Sequence, residues 1–99
     1  MIAYLHDWFE SNYPRLEALG LSPHLVDGPS DRLKHSAWID LEGRETMCRI
    51  TLWETGESDV QFILLQSGEP AMEHKQVRSE VELAGLLDEL VSRVTPRPT

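Results

Sequence analysis

The middle of the chain carries three consecutive segments in which apolar and polar residues alternate with a period of two. Over 36–41, Ala37, Ile39 and Leu41 alternate with Ser36, Trp38 and Asp40. Over 46–54, Cys48, Ile50 and Leu52 alternate with Met47, Arg49, Thr51 and Trp53. Over 59–66, Val60, Phe62 and Leu64 alternate with Gln61, Ile63 and Leu65. Successive side chains of a strand point to opposite faces, so each segment buries one face and leaves the other open. With short connections between them, the three strands form an antiparallel meander. Gly43-Arg44 offers glycine at the first central position of a two-residue type II′ turn, and residues 55–58 read as a second hairpin connection. A weaker strand is expected over 71–77, after a turn at 68–70. Residues 21–26 read as a short strand that Pro23 confines to a sheet edge. Residues 27–31, Asp-Gly-Pro-Ser-Asp, are the clearest loop in the chain.

Helices are expected on both sides of the meander. Over 2–19, Leu5, Trp8, Phe9, Leu16 and Leu19 recur at helical spacing opposite Asp7, Glu10, Ser11 and Glu17, which places Trp8 in the core. Pro14 predicts a kink or a restart, because proline lacks the N–H and crowds the preceding turn. Gly20 is placed to end the helix as a left-handed cap. Further on, Ser79 and Glu82 form a capping-box pair, and Leu83, Leu86, Leu87, Leu90, Val91 and Val94 make one apolar stripe that ends at Thr95-Pro96. The order predicts an α+β two-layer sandwich: an antiparallel sheet of four to five strands with the N-terminal and C-terminal helices packed on one face. One domain over 1–95 and a short tail at 96–99 accommodate the 99 residues.

Charge narrows the function classes. Seventeen acidic residues against nine basic give a net charge of −8 and a pI near 4.8. Such a chain repels nucleic acid, whereas a basic protein partner suits it. The single cysteine, Cys48, provides neither a disulfide framework nor a thiolate metal cluster, and its alternation puts it on the core face. No apolar run reaches the roughly 20 residues of a membrane helix. The start, MIAYLHDWFE, lacks the basic segment of a signal peptide, so a cytoplasmic location is expected.

Two helical stripes and the face made by Ala37, Ile39, Leu41, Cys48, Ile50, Leu52, Val60, Phe62 and Leu64 belong together as the core. The opposite face carries Trp38, Asp40, Arg49, Thr51, Trp53, Gln61 and Ile63. Tryptophan and arginine concentrate binding energy in protein–protein contacts. With a turn at Gly43-Arg44, Trp38 pairs across the strands with Arg49, and Asp40 lies diagonally to it. A half-covered sheet surface stabilised by its own aromatic ladder accounts for the same residues, as does burial in a homodimer. Acidic residues also gather nearby. Glu54, Glu57 and Asp59 crowd the hairpin beside Trp53, either as a solvated loop or as a patch for a basic partner. The candidate partner contacts are therefore Trp38, Asp40, Arg49, Trp53, Glu54, Glu57 and Asp59.

Catalysis finds little support. His6, His24, His35 and His74 lie in separate segments without paired metal-ligand spacing, and His6 with Glu10 reads as a local helix-surface contact. There is no phosphate-cradling glycine loop. Neither a cofactor nor a metal is expected, and no catalytic residue is assigned.

Four stretches carry a family resemblance: Trp8-Phe9; residues 16–22 (LEALGLS); residues 36–42 (SAWIDLE); and residues 49–59 (RITLWETGESD). From Trp8 to about residue 65 the chain resembles the TriTu-type immunity proteins of bacterial polymorphic toxin systems. In these small cytoplasmic proteins one tryptophan lies near the start and another ends a strand as Trp-Glu-x-Gly. Trp8, Trp53, Glu54 and Gly56 carry the match. The resemblance implies a non-enzymatic protein that binds and neutralises a cognate toxin. A monomer or weak homodimer is expected, and charge and hydropathy point to neither a nucleic-acid nor a membrane partner. An alternative from a neighbouring class is a small acidic secretion chaperone that holds an effector segment.

Overall fold

A computed structural model describes residues 1–28, 35–64, 68 and 70–95. It contains α1 (Ile2–Ala18), β1 (Ser22–Asp27), β2 (Ser36–Glu42), β3 (Thr46–Trp53), β4 (Glu57–Leu64), β5 (Pro70–Gln76) and α2 (Glu80–Val94). The strands form one open sheet in the order β1-β2-β3-β4-β5, every neighbouring pair antiparallel. This is the expected α+β arrangement, with both possible extra strands present. Most of the 27–31 loop, residues 65 and 66 of the third segment, Glu69 of the 68–70 turn and the 96–99 tail lie outside the described residues.

Both helices lay their stripes on one sheet face. Leu5, Trp8 and Leu16 of α1 and all six expected residues of α2 are buried. They close over Ala37, Ile39, Leu41, Cys48, Ile50, Leu52, Val60 and Phe62. Each fully buried Leu or Ile there contributes about 1.5–3 kcal/mol relative to an exposed one. Leu64 departs from the expectation: at the end of β4, opposite Thr46, it is 49% exposed.

Helix ends follow local chemistry. The α1 helix runs through Pro14 without interruption, on a side that faces solvent, where a carbonyl left without its helical donor costs least. It ends in a Schellman motif: Gly20 at φ 84° donates to the Glu17 carbonyl and Leu21 donates to the Leu16 carbonyl, with both leucines buried. Leu19, expected in the stripe, is 36% exposed as the C-cap residue. At α2 the Ser79 hydroxyl accepts from the Glu82 N–H at 3.1 Å, while the Glu82 carboxylate takes the Arg78 N–H at 2.8 Å. The reciprocal half of the capping box is therefore offset by one residue.

The hairpin registers differ from the sequence reading, for identifiable reasons. Gly43 pairs with Thr46 through its N–H, which leaves Arg44-Glu45 as the turn and sets Asp40 opposite Arg49 and Trp38 opposite Thr51. Gly43 is not left-handed. Glycine is needed there because a Cβ would lie 2.7 Å from the Val94 carbonyl oxygen at the end of α2. At the next connection β4 begins with Glu57, and Gly56 at φ 91° closes a turn over Glu54-Thr55 by donating to the Trp53 carbonyl. Ser58, read as a turn residue, is fully buried, and its hydroxyl donates to the Lys75 carbonyl at 3.0 Å. His6 bonds Asp27 of β1 at 2.7 Å instead of meeting Glu10.

Candidate interaction surface

Among the described residues, none on the face of the sheet away from the helices is buried, and four cross-strand rows organise that face. One row runs His24, Asp40, Arg49, Gln61 and Met72. The next runs Val26, Trp38, Thr51, Asp59 and His74. Ser36 and Trp53 pair in a further row towards Glu57 and Gln76, and the fourth joins Ser22, Glu42, Met47, Ile63 and Pro70. The period-two pattern puts these side chains outside simply because their neighbours are required inside.

Arg49 is the hub of this face. The backbone bonds at Gly43–Thr46 and His35–Glu54 fix the alternation between β2 and β3, which makes Asp40–Arg49 a non-hydrogen-bonded pair. Side chains approach most closely in such pairs. Arg49 Nε donates to Asp40 Oδ1 at 2.7 Å and Nη2 to Oδ2 at 3.0 Å, a two-pronged contact. The guanidinium also lies 5.3 Å from the Trp38 ring centroid. Thus aspartate is the direct neighbour and tryptophan the diagonal one, the reverse of the order expected from a turn at Gly43-Arg44. The hydrogen bond to Asp40 raises the Arg49 pKa further above its ordinary value, so the guanidinium stays charged. Asp40 neutralises it, and its central carbon sits over the Trp38 ring. The result is a half-buried platform of Trp38, Arg49 and Asp40, with Trp53 half-buried one row away.

The three hairpin acids separate. Asp59 faces outward and bonds His74 Nδ1 at 2.6 Å. Glu57 begins β4 on the same face, half-buried. Glu54 lies in the turn, 3.9 Å from the Met1 ammonium, on the helix side of the sheet end. The structure thus brings Trp38, Asp40, Arg49, Trp53, Glu57 and Asp59 onto one face and places Glu54 away from it.

Other residues of the face were not among the candidates. Met72 is 63% exposed and Val26 40% exposed, and both continue the outer rows. The alternation of Met72, His74 and Gln76 with Glu73 and Lys75 carried the signal. It was inconspicuous because the inward set of β5 is charged. Arg93 of α2 closes the core there, 3.9 Å over the Phe62 ring and 3.5 Å from Glu73.

Elsewhere, Cys48 is 1% exposed, and burial pushes its thiol up to about 12, which keeps it protonated and unreactive. Among the described residues no group of three or more His, Cys, Asp or Glu converges as a metal-ligand set, and no helix is long and apolar enough to cross a membrane. A shallow recess of about 250 Å³ lies between β5 and α2, lined by Lys75, Gln76, Val77, Glu82, Leu86 and Glu89. Compared with models of known families, residues 3–93 match the one described as immunity protein TriTu. No curated protein matches the chain.

Proposed function

The chain belongs to the TriTu family of immunity proteins, and from that premise we propose that it neutralises a cognate bacterial toxin by binding it through the outer face of the sheet, without chemistry of its own. A toxin-neutralising role follows from the family. The surface is our reading, and the observation that carries it is the Trp38–Arg49–Asp40 platform with Trp53 beside it, open to solvent on the face that no helix covers. A half-buried tryptophan held by a cross-strand contact, as Trp38 is by Arg49, loses little freedom on binding, and an arginine with its charge already satisfied costs less to cover than an unpaired one. A rim of Glu42, Glu57 and Asp59, in a chain of net charge −8, favours a basic toxin surface and faster association at low salt.

The test is capture from lysate of the source organism with the tagged protein as bait, followed by titration of the captured toxin domain. Trp53→Ala and Arg49→Glu are each expected to weaken binding by about 30-fold or more, equivalent to about 2 kcal/mol. Variants that fold normally and bind as tightly as the unaltered chain refute the assigned face.

A further inference from the structure

The two edges of the sheet are built differently. The N–H of Gly28 donates to the Ser36 carbonyl, so Asp27, Leu25 and Pro23 direct their backbone groups away from β2. Pro23 therefore removes the first of three outward donors and leaves two on the free edge of β1, where the Asp27 side chain is also engaged by His6 of α1. At the other edge, the Val77 N–H donates to the Gly56 carbonyl, and Ser58 Oγ reaches the Lys75 carbonyl. Alternation then turns Lys75, Glu73 and Ala71 towards β4, and Gln76, His74 and Met72 outward with donor and acceptor both intact. Pro70 blunts only the start of this edge. No residue of β5 is buried. An edge of this kind is a template for another strand.

The sequence of β5 is complementary to itself in one register. Set antiparallel to a second copy about a twofold axis at His74, Met72 meets Gln76 of the second copy and His74 meets His74 of the second copy. These are the residues whose N–H and C=O groups point outward, so each pair exchanges two backbone bonds. Glu73 then faces Lys75 of the second copy, and Lys75 faces Glu73 of the second copy, in the intervening close pairs where opposite charges attract. Centring the axis on Glu73 or on Lys75 sets like charges against each other instead. Within one chain Glu73 is 3.5 Å from Arg93 and 3.9 Å from Lys75, so these charges already lie together on the helix side of the edge. We propose that β5 is a homodimerisation edge, joining two copies through Met72–Gln76 into one continuous sheet with all four helices on the same side. This goes beyond toxin binding, and it leaves the outer platform of each copy open.

Sedimentation velocity of the full chain, from about 10 µM to about 1 mM, tests it. A concentration-dependent monomer–dimer equilibrium is expected. Met72→Pro removes an outward donor without touching the ladder to β4, so it should abolish the dimer while preserving the circular dichroism spectrum. Glu73→Lys and Lys75→Glu should each weaken self-association at least tenfold, and an equimolar mixture of the two should restore a dimer. A wild-type chain that stays monomeric throughout overturns the proposal, and so does a dimer that survives Met72→Pro. Single charge reversals that dimerise like wild type refute the register.

Discussion

Gly56 is the residue on which the second hairpin turns, and its replacement by alanine has a cost that can be worked out. Its φ of 91° lies in the left-handed region, where an alanine is strained by about 1–2 kcal/mol. Its Cβ would also sit 2.2 Å from the Val77 carbonyl oxygen and 2.9 Å from Gln76 Nε2. The first contact involves backbone, so Val77 has to move and its N–H bond to the Gly56 carbonyl is lost, at about 1 kcal/mol. Against this, alanine restricts the unfolded chain and returns about 0.4–1 kcal/mol. The net destabilisation is about 1–2.5 kcal/mol, a fall in Tm of roughly 5–20 °C for a domain this small. Gly20→Ala is the matched control. It has a similar φ of 84° but nothing within 4 Å of the added methyl, so strain alone acts and the loss is about 1 kcal/mol. Equilibrium denaturation of the two variants, with m-values unchanged, separates strain from clash. If Gly56→Ala melts within about 2 °C of Gly20→Ala, the close approach of Val77 has no energetic weight and the reasoning fails.

Ser58→Ala should cost about 1–2 kcal/mol in chemical denaturation, since it strips a fully buried hydroxyl from its bond to the Lys75 carbonyl. A double-mutant cycle on Asp40→Ala and Arg49→Ala should give a coupling of about 0.5–1 kcal/mol, held down because both side chains are partly solvated; zero coupling would mean the two-pronged contact is idle. For Cys48, the folded thiol titrates near 12 against an ordinary value of 9.0, so above pH 9 the unfolded chain releases a proton that the folded chain retains. The resulting stability is whole below pH 9 and declines as pH rises towards 12. Cys48→Ala should flatten that part of the profile in denaturation curves measured across the window.

Local chemistry made much of this architecture legible. The stripe of α2, its Ser79 cap, the stop at Gly20 and the three central strands all follow from spacing and from residues that act on their immediate neighbours. What escaped depends on distant contacts. Gly43 was read as a left-handed turn residue, whereas it is small because the end of α2 passes over it, and this moved the β2–β3 register by a pair. Pro14 was expected to interrupt α1, but it lies on the solvated side where a missing donor is tolerated. The outer face was legible as a list of residues. That Asp40 grips Arg49 directly and that Glu54 turns towards Met1 depended on the register and the turn. The β5 edge was the least visible, because its inward residues are charged and meet Arg93 and solvent in place of the core.

Neutralisation of a toxin through the outer sheet face, as we propose it, can be tested in cells. The most direct measurement is growth of cells that express the captured toxin domain together with this chain. The unaltered protein should restore growth, and a Trp38→Ala/Arg49→Glu/Trp53→Ala variant that melts within a few degrees of it should not. A folded triple variant that protects as well as the unaltered chain would contradict the claim.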